Sequence, residues 1–163
     1  MSNESPETPE ALSQPRRFAV VASRYNAEYV DGLAESALSE LATLAPGSNI
    51  DVLRVPGAFE LPLAVKKLAA TGKVDAIFAF AVIVLGETHH AELLATAVTN
   101  ALLNISLQYD LPVLNEVLWL ENEEQARQRC LPEGASNRGV EAARAAVRML
   151  TMLDEVGEDP DLK

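Results

Sequence analysis

The only two histidines of the chain, His89 and His90, stand side by side in a short polar segment. This segment, Gly86-Glu87-Thr88-His89-His90, follows a strand-like apolar run from Val74 to Leu85 and precedes a long helical pattern. An imidazole can move protons near neutral pH, and the exposed N–H groups at a helix start favour an anion such as phosphate. The segment therefore predicts proton transfer beside a bound anionic group.

Other polar or flexible residues also follow apolar runs, at the points where strands are predicted to end. The first run ends in Tyr25-Asn26, the second in Gly57-Ala58-Phe59-Glu60, and the fourth near Asn115 and Glu116. Each has an ordinary structural explanation, such as a turn or a helix start. In open α/β sheets, however, ligands bind outside the carboxyl ends of the strands. The convergence of four such features on one sheet edge predicts a binding site there.

Charge narrows the range of partners. The 163 residues include 24 Asp and Glu against 13 Lys and Arg, which gives a formal charge of −11. A nucleic acid or an anionic membrane would need a basic surface, so neither is expected as a partner. Positive charge is instead gathered in one stretch, at Arg127, Arg129, Arg138, Arg144 and Arg148. Such local charge suits a small anionic substrate.

The compartment is predicted from cysteine use and from the start of the chain. Cys130 is the only cysteine, so no internal disulfide can form, and a reducing compartment is expected. Residues 1–15 lack the apolar core of a signal peptide. No apolar run approaches the ~20 residues that a membrane helix needs. We therefore expect a soluble, cytoplasmic protein.

Strand and helix patterns alternate along the chain. The predicted strands cover 18–22, 50–55, 74–85 and 113–118. The predicted helices begin after an N-cap at Asn26, at about residue 59, after the histidine segment, after an N-cap at Asn122 and near Asn137. This alternation predicts an α/β sandwich with a parallel sheet covered on both faces. The expected domain spans 16–154, flanked by a disordered segment over 1–15 and a disordered acidic tail over 155–163.

The helix predicted over 91–108 is unusual because Glu92 is its only charged residue. One explanation is a central helix that is deeply buried in its own domain. The other is burial against another subunit, which we favour because a helix in so small a domain normally keeps one charged face.

Four motifs together resemble the lumazine synthase family of riboflavin biosynthesis, in both order and spacing. The resemblance covers residues 17–150, and its most specific part is Val-Pro-Gly-Ala-Phe-Glu-Leu-Pro. The motifs are Arg24-Tyr25-Asn26, Val55-Pro56-Gly57-Ala58-Phe59-Glu60-Leu61-Pro62, Gly86-Glu87-Thr88-His89-His90 and Asn137-Arg138-Gly139-Val140-Glu141-Ala142-Ala143. The family implies a flavodoxin-like α/β/α sandwich with a four-stranded parallel sheet.

The resemblance also implies a role for each matching residue. His90 would be the proton-transfer residue, whereas His89 falls on a variable position. Tyr25 would stack on the pyrimidine ring, Arg129 would bind phosphate, and Arg138 replaces the family's usual lysine. The full set of implied substrate-binding residues is Tyr25, Gly57, Ala58, Phe59, Glu60, Val82, Ile83, Val84, Gly86, Glu87, Thr88, Asn115, Arg129 and Arg138.

Within that set, three segments have distinct implied tasks. Residues 57–60 would line the ribityl chain, 82–84 would present backbone to the pyrimidine, and 86–88 would hold the phosphate. The implied reaction is a transferase reaction between two small substrates, one of them phosphorylated: 5-amino-6-ribitylaminouracil and 3,4-dihydroxy-2-butanone 4-phosphate. It yields 6,7-dimethyl-8-ribityllumazine, phosphate and water. It needs no metal and no cofactor.

The chain departs from the family pattern at several positions. Leu85 replaces an arginine, Ala91 an aromatic residue, and Asn115 a phenylalanine that would lie over the pyrimidine; Trp119 replaces a small polar residue. These departures keep a second hypothesis open, namely a non-catalytic paralogue that binds lumazine or flavin or serves as an assembly scaffold. Turnover with both substrates distinguishes the two hypotheses.

The resemblance implies a homo-oligomer with sites between the subunits of a pentamer. The helix predicted over 91–108 would line the fivefold axis, and the segment before Phe18 would add to a neighbour's sheet. Some family members build an icosahedral shell from twelve pentamers. The link over 131–136 carries a proline and is one residue longer than the shell-forming pattern. We therefore expect free pentamers or decamers rather than a shell.

Overall fold

The computed structural model describes residues 7–85, 90–134 and 136–158, without the side chains of His90 and Glu158. Four parallel strands form one sheet in the order β2-β1-β3-β4. The strands are β1 (Arg17–Ser23), β2 (Asn49–Val55), β3 (Ala76–Val84) and β4 (Val113–Leu120). The helices are α1 (Ala27–Leu44), α2 (Leu61–Ala69), α3 (His90–Tyr109), α4 (Glu123–Cys130) and α5 (Arg138–Glu158), with a 3₁₀ turn over Ala58–Glu60. The predicted α/β sandwich is confirmed.

The sheet has a separate apolar core on each face, because residues of β1 and β3 alternate between the two. On one face, Phe18, Phe78 and Phe80 are fully buried beneath α1, α4 and α5. On the other face, smaller residues such as Val21 and Ile77 pack against α2 and α3. Burial on both faces explains why these strands read as continuous apolar runs in the sequence.

The fourth strand continues to Leu120, beyond its predicted end at Leu118. Asn115 and Glu116 therefore lie in the first half of β4, paired with Ala79 and Phe80, and not at the carboxyl edge as predicted. The expected end at these residues is wrong because polar residues inside a strand resemble a strand end. Their side chains take opposite faces of the sheet, as strand alternation requires.

Packed or helical residues among those that the structure describes extend past the predicted domain boundaries at residues 16 and 154. Leu12 is buried, and its amide N–H donates to the carbonyl of Leu44 at 2.8 Å. At the other end, α5 continues through Glu155 to Glu158, and Gly157 is the only one of these four residues that strongly disfavours a helix. The predicted addition of the N-terminal segment to a neighbour's sheet stays a prediction.

Helix α3 buries only one of its faces in this chain. Val98 and Leu102 are buried against the sheet, whereas Leu93, Leu103 and Leu107 are 74%, 57% and 68% exposed. The deeply buried central helix considered as one explanation is thus wrong for the single chain. Among the described residues, no helix is long and apolar enough to cross a membrane.

Candidate active site

A cleft of about 190 Å³ opens at the carboxyl edge of the sheet, beside the ends of β1 and β3. Its lining residues are Ser23, Tyr25, Asn26, Ala58, Val82, Ile83, Val84 and Leu94. Five of these positions (25, 58 and 82–84) are predicted site residues, contributed by three separate chain segments. Parallel strands bring these segments together because their carboxyl ends share one edge.

Asn26 connects two walls of the cleft. Its side-chain Nδ2 donates to the carbonyl oxygen of Val82 at 2.7 Å, and its backbone is left-handed, with φ of 53°. The residue occupies the N-cap position of α1, as predicted, but its side chain makes no capping bond, so the predicted mechanism of capping is wrong. The tertiary partner on β3 captures the amide instead.

The Gly57 to Glu60 turn forms a further part of the predicted site. The amide N–H of Gly57 donates to Oε2 of Glu60 at 2.8 Å. A Cβ at position 57 would lie 3.1 Å from that oxygen and 3.4 Å from the ring of Tyr25. The three residues are therefore close neighbours. The ring of Tyr25 and the side chain of Phe59 are 75% and 69% exposed, and both are accessible to a ligand.

Three cleft residues were missed as ligand contacts at the sequence level. Ser23 is the buried last residue of β1, and Leu94 lies in the first turns of α3. Asn26 is predicted as an N-cap and as part of a strand end at the binding site, but it is not among the residues with an implied substrate contact. Its position next to Tyr25, at a strand end, was the signal that could have identified it as a cleft residue.

The predicted phosphate-binding residues Gly86, Glu87 and Thr88 lie outside the described residues, as does His89. The backbone of His90 begins α3, and its side chain is not described. Before the segment, the amide of Leu85 donates to the carbonyl of Leu120 at 2.8 Å. The last described residue before the segment, Leu85, is thus held beside the carboxyl end of β4, and the first described residue after it, His90, begins the helix that carries Leu94 of the cleft.

The remaining predicted site residues lie around the open edge of the sheet at β4, and none of them lines the cleft. Asn115 faces α3, where its Nδ2 donates to Oγ1 of Thr99 at 3.2 Å. Arg129 belongs to α4, and Arg138 is the first residue of α5. In a single chain, the predicted site residues thus form two groups: the cleft group and this edge group.

Arg138 is bound by two carboxylates. Its Nε and Nη2 donate to Oε2 and Oε1 of Glu116 at 3.0 and 3.3 Å, and its Nη1 donates to Oε2 of Glu141. Glu116 is only 5% exposed, on the α5 face of β4. Sequence reasoning noted Glu116 at a strand end but did not identify its pairing with Arg138.

Burial and the neighbouring charges shift the pKa values of this pair in opposite directions, and the balance differs between the two residues. Desolvation raises the pKa of Glu116 to about 7, although the charge and hydrogen bonds of Arg138 pull that pKa down and the more distant Arg129 lowers it further. Burial also lowers the pKa of Arg138, but the attraction of Glu116 and Glu141 outweighs it and the net pKa is raised. Arg138 therefore stays protonated, whereas Glu116 titrates near neutral pH.

The described residues contain no cluster of three or more His, Cys, Asp or Glu side chains that could hold a metal ion. The cleft offers aromatic, amide, hydroxyl and backbone groups instead. These groups can stack on a planar ring and hydrogen-bond a polyhydroxylated chain.

Comparison with known proteins gives one consistent result. The family model described as 6,7-dimethyl-8-ribityllumazine synthase matches residues 15–154. A protein of that name from Burkholderia vietnamiensis (strain G4 / LMG 22486) is 41% identical over 147 residues, which cover 88% of this chain and 84% of that protein. Relatives of the same name from Burkholderia cenocepacia (strain HI2424) and Burkholderia multivorans (strain ATCC 17616 / 249) are 41% and 40% identical, and each match covers 88% of this chain and 83% of the relative.

Proposed function

The chain belongs to the 6,7-dimethyl-8-ribityllumazine synthase family, and we propose that its active site is the cleft beside β1 and β3, completed by a neighbouring subunit. The chain is a transferase of riboflavin biosynthesis. It condenses 5-amino-6-(D-ribitylamino)uracil with 3,4-dihydroxy-2-butanone 4-phosphate to 6,7-dimethyl-8-ribityllumazine and releases phosphate and water. The observation that carries this function is the family match over residues 15–154, which spans β1 to α4 and most of α5.

The cleft residues bind the pyrimidine substrate in this proposal. The exposed ring of Tyr25 stacks on the pyrimidine, and the backbone of 82–84 hydrogen-bonds its polar edge. The Gly57 to Glu60 turn lines the ribityl chain. Because Oε2 of Glu60 already accepts from the Gly57 amide, Oε1 is the oxygen left to accept from a ribityl hydroxyl. The short distances between Tyr25, Gly57 and Glu60 support this arrangement.

Proton transfer is assigned to His90, at the N-terminus of α3. The amine attacks the ketone to give an imine, phosphate is eliminated and the second ring closes, so protons must move at several steps. Gly86, Glu87 and Thr88 are proposed to hold the phosphate with N–H groups and a hydroxyl. Arg129 then supplies the cation that stabilises the departing phosphate. Holding the two substrates together supplies much of the remaining rate.

A neighbouring subunit is proposed to supply the edge group, Asn115, Arg129 and Arg138. Two observations support this. These residues do not line the cleft of their own chain, and α3, whose only acidic or basic residue besides His90 is Glu92, exposes Leu93, Leu103 and Leu107. We therefore propose a homo-oligomer, with the pentamer as its unit and a decamer or an icosahedral shell as larger forms. A cytoplasmic location is proposed as well, since both substrates are small and water-soluble.

The test is lumazine formation by the purified full-length chain, followed by absorbance and fluorescence with both substrates present. Arg129→Ala should lower kcat/KM by at least about tenfold, because a charge-assisted contact to phosphate is lost. The matched control is Arg127→Ala on the same helix, whose exposed pair with Glu123 at 3.1 Å is worth little.

Two results would contradict the proposal. One is equal activity of the Arg129 and Arg127 variants. The other is a light-scattering mass near one subunit. Tight riboflavin binding without turnover by the wild-type chain would support the non-catalytic alternative, which the family relatives do not favour.

A further inference from the structure

Glu116 is a buried carboxylate for which the proposed function has no task. It lies in the middle of β4, with a side chain that is 7% exposed, and it faces the first turn of α5. A buried charge is costly, and a buried ion pair seldom stabilises a fold more than apolar residues of similar shape would. A role in orientation explains its presence better than a role in stability.

The geometry of the pair is a two-point contact. Glu116 accepts from Nε and Nη2 of Arg138, which fixes the plane of the guanidinium, and Glu141 accepts from Nη1. A guanidinium has five N–H groups, and these bonds engage three of them. One N–H on Nη1 and one on Nη2 remain for an outside acceptor. The side chain of Arg138 is 26% exposed, so its far end is accessible.

We propose that Glu116 is a positioning residue, which orients Arg138 so that the two remaining N–H groups meet an acceptor oxygen of the substrate in the neighbouring subunit's cleft. The inference rests on the proposed substrate-binding role of Arg138. It also explains why an arginine stands where the family usually has a lysine. Only a planar guanidinium can be held by two points of one carboxylate and still bind a second acceptor.

The charged and titratable groups that face Glu116 come from two helices. Arg138 and Glu141 belong to α5, and Arg129 and Cys130 belong to α4. Burial raises the pKa of Cys130 to about 12, so its thiol stays neutral. Phe80, its partner on β3, carries no charge. Protonation of Glu116 near neutral pH would replace the ionic fork with a weaker contact, so orientation of Arg138 should improve as the pH rises through about 7.

The test is a double-mutant cycle on the full-length oligomer, with Glu116→Gln, Arg138→Ala and both together. Glu116→Gln should lower kcat/KM by about tenfold. It replaces the charge-assisted contact that orients Arg138 with a weaker neutral one, so Arg138 meets the substrate less often in the productive orientation. In the Arg138→Ala background, the same change should have less than about a twofold effect, since the group it orients is gone. The control is Glu40→Gln on α1, which removes the negative charge from a partly buried ion pair with Arg144 at 2.7 Å; Arg144 lies on α5, the helix that also carries Arg138. This substitution should leave kcat/KM unchanged.

The pH profile separates orientation from simple stability. The rise of wild-type kcat/KM through about pH 7 should flatten in Glu116→Gln and persist in Glu40→Gln. Equal losses from Glu116→Gln in both backgrounds, or no loss at all, would overturn the inference while leaving the proposed function intact. Absence of turnover by the wild-type chain would overturn both. Thermal unfolding of each variant identifies any loss of activity that comes from unfolding.

Discussion

Asn26 contributes to stability in two ways: its side chain makes a hydrogen bond, and asparagine tolerates the left-handed backbone at this position. A short series of variants separates the two effects. The side chain donates to the Val82 carbonyl at 2.7 Å, and the backbone φ of 53° lies in the left-handed region. Asparagine tolerates this region better than alanine does, and glycine tolerates it without steric cost. Asn26→Ala therefore loses the bond and gains strain, whereas Asn26→Gly loses only the bond but gains freedom in the unfolded chain.

The hydrogen bond and the backbone strain each change the free energy of unfolding by a definable amount. The hydrogen bond contributes about 1 kcal/mol, and left-handed strain costs alanine roughly 1 kcal/mol more. Asn26→Ala should therefore lower the free energy of unfolding by about 2 kcal/mol. For a chain of this size that corresponds to a Tm about 4–8 °C lower. Asn26→Gly avoids the strain but has about 0.5 kcal/mol more unfolded-state entropy to lose, so its loss should be near 1.5 kcal/mol.

The assay is thermal unfolding at one fixed subunit concentration, because assembly makes Tm depend on concentration. The control is Asp110→Gly, at the other described non-glycine residue with positive φ, where φ is 48° and the side chain is exposed. Its stability should change by no more than about 0.5 kcal/mol, because relief of strain offsets the added entropy. If Asn26→Ala were as stable as the wild type, or Asn26→Gly less stable than Asn26→Ala, the reasoning would be refuted.

Three further predictions concern the site, pH and packing. Gly57→Ala should raise KM for the pyrimidine substrate several-fold with little change in Tm, because the new Cβ lies 3.1 Å from the exposed Glu60 carboxylate; steady-state kinetics would test this. The pKa of Glu116 is raised to about 7 by burial, so its contribution to stability is complete below its ordinary pKa of 4.5 and is lost as the pH rises through about 7. Urea unfolding across that range should show this slope in the wild type, and an unchanged slope in Glu116→Gln would count against it. Gly139→Ala should destabilise by about 2–3 kcal/mol, because its Cβ would lie 2.2 Å from the Leu33 carbonyl. Gly157→Ala on the same helix, where a Cβ meets nothing within 4 Å, should be neutral or slightly stabilising by the same denaturation assay.

Much of the fold could be predicted from the sequence because its main signals are local. Apolar runs such as 76–84 have no solvent-facing side in a sheet covered on both faces, so their strand character is plain. The cleft could be predicted as well, since strand ends in a parallel sheet must share an edge and the motif over 55–62 is specific.

Tertiary partners account for what could not be predicted. Asn26 is a residue type that commonly caps helices. Its side chain instead donates to the carbonyl of Val82, which lies 56 residues further along the chain and cannot be recognised from the local sequence. A charged residue such as Glu116 normally indicates that a buried strand has ended. Here the charge is paired inside the strand by Arg138, which lies 22 residues further along the chain and is therefore invisible to a local pattern. The separation of the edge group from the cleft also depends on the three-dimensional sheet order, which no local pattern encodes.

Complementation between subunits tests most directly whether one chain's cleft is completed by another's edge. Two variants would each be inactive alone: Tyr25→Ala with Glu60→Ala, which damages the cleft, and Arg129→Ala with Arg138→Ala, which damages the edge. When the two are unfolded, mixed equally and refolded together, a random ring should contain intact sites at about one quarter of its interfaces. The account predicts about that fraction of wild-type lumazine formation. Activity no higher than that of the separate variants, in oligomers shown to contain both, would contradict it.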